Sequence, residues 1–181
     1  MDLLWTDFVN SLAGDWRGGG PPADHIGEPP WTAEFLSRWA LQAPAPLGGA
    51  DLQAARALRA LLRDLAAQVA QGGRLDPEAL NAFLARAPVR RALAGAPGGG
   101  YRLELLPGAV GWPAVLGEVA ASFARTLAEG DPRRIHLCAN PDCRWAFYDD
   151  TRGAAKRYCD EKTCGNLMRV RRFRSRKRAG E

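Results

Sequence analysis

Residues 138–164 read CANPDCRWAFYDDTRGAAKRYCDEKTC and hold every cysteine of the 181-residue chain: Cys138, Cys143, Cys159 and Cys164. Four residues lie inside each pair and 15 lie between the pairs. Two close pairs on either side of a loop suit a tetrahedral metal site. Each pair forms a short knuckle that brings two sulfurs together, and the loop returns the second pair to the first; Zn²⁺ takes four such thiolates at about 2.3 Å. Asn140-Pro141-Asp142 supplies turn residues inside the first pair, and Gly165 directly follows the second. Two disulfides, or four reduced thiols in a core, are the alternatives. The matched spacing within 27 residues argues against both, although cysteine buries well. A closed four-thiolate site has no open coordination position, so it is expected to act as a folding staple and not as a catalytic centre. His136, two residues before Cys138, could replace one ligand, but a supporting or surface role is expected.

Between the pairs, alternation in Arg144-Trp-Ala-Phe-Tyr148 predicts a short strand with Trp145 and Phe147 on one face, forming a small core under the metal. Base stacking is the other use for such aromatics. Asp149–Gly153 reads as the turn that follows.

The stretch after the last cysteine, GNLMRVRRFRSRKR over Gly165–Arg178, has seven basic residues and no acidic one. As a helix it would set Leu167, Val170 and Phe173 against the knuckle, with Met168 nearby, and project its cations elsewhere. Arg169, Arg171, Arg172, Arg174, Arg176 and Lys177 are the expected contacts to double-stranded DNA, because arginine makes bidentate bonds to phosphate and guanine. A solvated tail, an acidic protein surface or anionic lipid would also accept the charge.

The charge of the whole chain follows this division. Residues 131–181 carry 14 basic and 7 acidic residues, and residues 1–130 carry 11 and 13. The formal +5 is therefore local, and a uniformly basic coat is excluded. The N-terminal stretch lacks the basic region of a signal peptide and no apolar run approaches a membrane span, so a cytoplasmic, reducing setting without membrane insertion is expected.

Upstream, apolar spacing predicts helices over residues 1–12 and 114–129, and over Asp51–Gln71 with Leu58, Leu61, Leu62, Leu65 and Val69 in its stripe and Arg56, Arg59 and Arg63 on another face. Thr32 is expected to cap a helix over 33–43, and Asp76-Pro77 to open one through Arg86. Alternation in Tyr101-Arg-Leu-Glu-Leu105, separated by a Gly-rich turn from Val89–Leu93, predicts a β-hairpin. Gly14–Pro30 reads as a loop. Asp7 and Asn10, with Trp16 and Arg17, could line a pocket for an unknown small-molecule effector; helix-end capping is the plainer use. Neither a Ser-His-Asp nor a Cys-His arrangement is present, so no enzyme is expected.

The residues Cys138-Ala-Asn-Pro-Asp-Cys143-Arg-Trp-Ala-Phe-Tyr-Asp, Arg157-Tyr-Cys159 and Cys164-Gly165-Asn166 with the basic run resemble the CGNR zinc finger. Asp7-Phe-Val-Asn10, the Leu/Arg helix over 51–71, Asn81-Ala-Phe-Leu84 and the late helix resemble the ABATE domain. The resemblance implies a bacterial, stress-induced transcription regulator with a DNA-binding finger. One position departs: the arginine that closes the finger's motif is Leu167 here, so its role is lost or passes to Arg169. The expected architecture is α+β: a mostly helical domain with a β-hairpin over 1–130, then a four-cysteine zinc module with a basic helix over 131–181. A two-fold operator would favour a homodimer, although no heptad seam is visible.

Overall fold

The computed structural model describes residues 3–44 and 46–180. Its helices are α1 (Leu4–Val9), α2 (Pro29–Arg38), α3 (Gly49–Ala70), α4 (Glu78–Leu84), α5 (Trp112–Ala128) and α6 (Asn166–Ala179). Its strands form three antiparallel pairs: β1 (Leu12–Ala13) with β2 (Ala23–Asp24), β3 (Val89–Gly95) with β4 (Tyr101–Pro107), and β5 (Ile135–Leu137) with β6 (Ala146–Tyr148). The fold is α+β and mostly helical, as expected.

The core lies where α1, α3 and α5 meet. Spacing of three and four residues puts Leu58, Leu62 and Leu65 of α3 on one buried stripe, and Val115, Val119 and Phe123 of α5 on another. Trp5 of α1 meets Phe123 edge-on at 4.9 Å, and its indole N–H donates to Thr126 Oγ1 at 3.0 Å. Each large apolar side chain buried here is worth about 1.5–3 kcal/mol. Gly117 lets the segment before the β3–β4 hairpin rest on α5: a Cβ there would lie 2.0 Å from that of Ala87.

Several local expectations are corrected. The first helix stops at Val9, and Leu12 turns into β1; Met1 and Asp2, also placed in that helix, lie outside the described residues. Asn10 ends the helix because its side chain bonds to β6 instead. Thr32 is not a cap. Pro29 and Pro30 open α2 earlier, and the Thr32 hydroxyl donates inside the helix to Glu28 O at 3.0 Å. The second arginine face of α3 is partly buried: Arg59 is 7% exposed, paired with Asp24 and donating to Ser11 Oγ at 3.0 Å. That guanidinium holds the Asp24 carboxyl below the usual carboxylate range.

Packing continues across residue 130. Ile135 and Ala146 of the β5–β6 hairpin sit in the same core as α3 and α5. Asn10 donates to Ala146 O at 2.9 Å and accepts from Ala146 N at 2.8 Å, so a side chain of the helical domain extends the ladder of the C-terminal hairpin.

Candidate metal centre and basic helix

The first knuckle is held between β5 and β6. Cys138 N donates to Trp145 O at 2.8 Å, and Cys143 N donates to Asn140 O at 3.1 Å. Arg144 takes a left-handed φ of 63° as the chain leaves the knuckle. The second limb returns alongside the first, with Ala139 N donating to Arg157 O at 2.8 Å. Asp160 then accepts from Thr163 N at 2.7 Å and starts the turn that carries Cys164 into α6.

The four sulfurs lie within 4.8 Å of one another, and no disulfide joins them. Cys143 and Cys159 Sγ are 3.5 Å apart, and Cys159 and Cys164 Sγ 3.9 Å. Sulfurs bound at about 2.3 Å to one tetrahedral ion would be about 3.8 Å apart. Hydrogen bonds from the Cys143 and Cys159 thiols favour a thiolate on Cys138, and that arrangement pushes the Cys143 and Cys159 thiols up. All four become thiolates together only around a cation. The donor set fits Zn²⁺, which would offset half of the charge of the four thiolates and lock the two limbs.

Residues outside the quartet complete the setting. Asn140 is fully buried; its amide N–H group donates to Trp16 O at 2.8 Å and reaches Cys164 Sγ at 3.4 Å. Gly14 N donates to Cys143 O at 3.3 Å, and a Cβ on Gly14 would lie 2.0 Å from Asp142 O. Arg63 Nη1 is buried without a hydrogen-bond partner; burial and the neighbouring Arg144 push the guanidinium pKa down, and Asp64 and Cys143 oppose that shift. The turn after β6 is built on Asp149, fully buried, whose carboxylate accepts from Thr151 Oγ1 at 2.6 Å, Thr151 N at 2.9 Å and Lys156 N at 2.8 Å. Burial opposes its ionisation, but these donors prevail and hold its pKa at about 2. His136 is not among the clustered donors; its ring lies 5.5 Å from that of Phe147 and its Nε2 is buried and unpartnered.

The aromatic and helical faces differ from expectation. Phe147 packs on the cysteines, but Trp145 is 41% exposed. Leu167, Val170 and Phe173 do not seat α6: Phe173 is 70% exposed. Met168 lies against the cysteine cluster instead, four residues on from Cys164. Arg171 donates to Asp142 Oδ2 and to Arg17 O, each at 2.6 Å. Arg169 pairs with Glu161 at 2.8 Å, and Arg172 donates to Tyr158 Oη at 3.3 Å. Among the described residues, Arg174, Arg176, Lys177 and Arg178 form no ion pair. A surface concavity of about 540 Å³ is lined by Arg171, Arg174, Ser175 and Arg178.

Asp7 and Asn10 do line a common recess of about 340 Å³, with Trp31 and Trp145. Three of their four side-chain polar atoms are engaged: Asp7 Oδ2 accepts from Trp39 Nε1 at 2.8 Å, and both amide atoms of Asn10 hold Ala146. Trp16 and Arg17 lie elsewhere, at the cysteine cluster and under Arg171. A larger apolar groove, about 880 Å³, runs between the loop after α2, the root of the β3–β4 hairpin and α5; Leu41, Pro44, Leu106 and Val110 line it, with Arg90 and Glu118. Periodicity could not reveal it, because its walls come from three separate segments.

A search of curated proteins found no match. Family comparison matches residues 134–177 to the CGNR zinc finger. Residues 2–130 match the ABATE family, described as "Putative stress-induced transcription regulator". The helical domain, the quartet of cysteines and the matched span of most of the chain together show that the protein belongs to the ABATE family and carries a CGNR zinc finger behind its helical domain.

Proposed function

We propose that the protein is a zinc-dependent regulator that binds double-stranded DNA through α6. The observation that carries this reading is the set Arg174, Arg176, Lys177 and Arg178: four cations on a helix mounted at the cysteine quartet, without ion-pair partners among the described residues. Without an anion they repel one another, and a phosphate backbone relieves that repulsion while releasing counterions. The concavity lined by Arg174, Ser175 and Arg178 suits a phosphate. Val170, Phe173, Arg174 and Lys177 share one helical face by their spacing, which pairs apolar contact to thymine methyl groups or sugars with phosphate bonding. Arg169, Arg171 and Arg172 belong to the same DNA surface, but their first task is to hold the helix to the finger.

The test is duplex binding at several salt concentrations. Replacing Arg174, Arg176, Lys177 and Arg178 by alanine is expected to weaken binding at least tenfold and to flatten the salt dependence by about one unit per lost phosphate contact. Binding equal to that of the parent overturns the assignment. The Arg171→Ala change should act differently, loosening α6 from the finger as well as weakening DNA binding.

For a small-molecule effector, the apolar groove beside Arg90 is favoured over the Asp7 recess, because Asp7 Oδ2 and both amide atoms of Asn10 already have partners. Thermal-shift screening of apolar carboxylates against the parent and Arg90→Ala proteins tests this; equal shifts in both remove Arg90 from the site.

A further inference from the structure

The β3–β4 hairpin presents its apolar residues to solvent. Its register pairs Val89 with Pro107, Arg91 with Leu105, Leu93 with Leu103 and Gly95 with Tyr101. Opposed residues in an antiparallel pair share a face, and alternate positions share it along each strand. These four pairs therefore form one surface, and its large apolar members are all exposed: Val89 by 54%, Leu93 by 70%, Tyr101 by 79%, Leu103 by 68% and Leu105 by 62%. The opposite face, with Ala92, Ala94, Glu104 and Leu106, is the half-buried one. The hairpin thus reverses the usual order, in which the more apolar face of a two-sided sheet turns inward. It also packs chiefly on itself, and an isolated two-stranded hairpin is marginal in water.

We infer that this face is a homodimer interface, and that its occupant is the same face of a second copy of the chain. The five side chains expose on the order of 700 Å² per copy, so a face-to-face pair buries roughly twice that, within the range of about 1,200–2,000 Å² for specific interfaces. A two-fold contact is self-complementary by construction and closes after two copies, which covers the patch without propagating. The charge distribution agrees. Arg91 is the one charged residue on the face and lies toward the hairpin root, directly across from Leu105; Leu93, Leu103 and Tyr101 form an uncharged surface toward the tip. Two copies stacked over that surface can keep their arginines at the rim. The contact uses side chains and leaves the strand edges free. It does not depend on DNA binding.

Sedimentation of the full zinc-loaded chain over about a hundredfold concentration range, without DNA, tests the inference. The parent is expected to run at twice 19.6 kDa. Raising the salt should leave the dimer intact, because the contact is apolar. The double change Leu93→Glu with Leu103→Glu points outward from the hairpin, and it should halve the mass while circular dichroism and zinc content stay at parental values. If that protein misfolds, Tyr101→Lys with Leu105→Lys on the same face gives the same reading. A parent that is monomeric throughout overturns the inference, as does a dimer that survives both folded variants. A monomer that floats with anionic vesicles through this hairpin also overturns it and identifies a lipid surface instead.

Discussion

Gly14 and Asn10 belong to the helical domain in sequence and to the metal site in space. A methyl group on Gly14 would lie 2.0 Å from the carbonyl oxygen of Asp142, which is backbone and has little room to give. Gly14→Ala is expected to cost about 1–3 kcal/mol in urea unfolding and to speed zinc loss to a chromogenic chelator. Neutral results in both measurements would remove this contact from the account. Asn10→Ala deletes two hydrogen bonds to Ala146 and should cost about 1–3 kcal/mol. The cysteines were legible because their chemistry needs a fixed residue type at a fixed spacing. Gly14 was not, and Asn10 was singled out only for a pocket or a helix end, since what makes them matter is a partner some 130 positions away in the chain. Arg59 was hidden for a similar reason: a helix face reads as solvated until Asp24 and Ser11 are seen to cover it.

Among the elements, the turn on Asp149 and the helix α6 show how a local pattern can be right in kind and wrong in orientation. The turn was readable from its residues, but not the three donors that converge on its carboxylate. The Asp149 carboxyl is held at about 2, below the ordinary carboxylate range, so the folded state favours the ionised form. The stabilisation from that turn is therefore fully present above about pH 4 and is lost as the pH falls toward 2. Asp149→Asn is expected to cost about 1.5–3 kcal/mol at pH 7, and the gap between variant and parent should close over that acidic interval when both are unfolded in urea. A gap that stayed constant would assign the cost to packing instead. In α6, the apolar triplet at three-residue spacing suggested the buried face, yet Met168 and Arg171 occupy it. The position of Cys164 fixes the helix's rotation, and residues four and seven places later must then face the finger.

For the whole molecule, composition and charge marked two sequence segments, whereas the core does not divide between them. Ile135 and Ala146 are buried with α3 and α5, so the finger's hairpin is part of the packing that stabilises the helical domain. Removing zinc should therefore lower the thermal midpoint of the entire chain, including the near-ultraviolet signal of Trp5 and Trp112, in one transition. Two separated transitions, with the second unaffected by chelator, would contradict this. Such shared burial is not legible in a sequence, because alternation in β5 and β6 says that a face is apolar without saying what covers it.

The backbone bond from Gly14 to Cys143 has one more consequence. Any molecule that shifts the segment after α1 must also shift the frame that holds two of the four sulfurs. Linkage makes this exchange symmetric: a compound that tightens zinc by some factor is itself bound more tightly by the same factor once zinc is present. The affinity for zinc then becomes an assay. A library screened by competition for metal, with no DNA present, would report any compound that binds the helical domain and moves this segment by the change it makes at a site it does not touch.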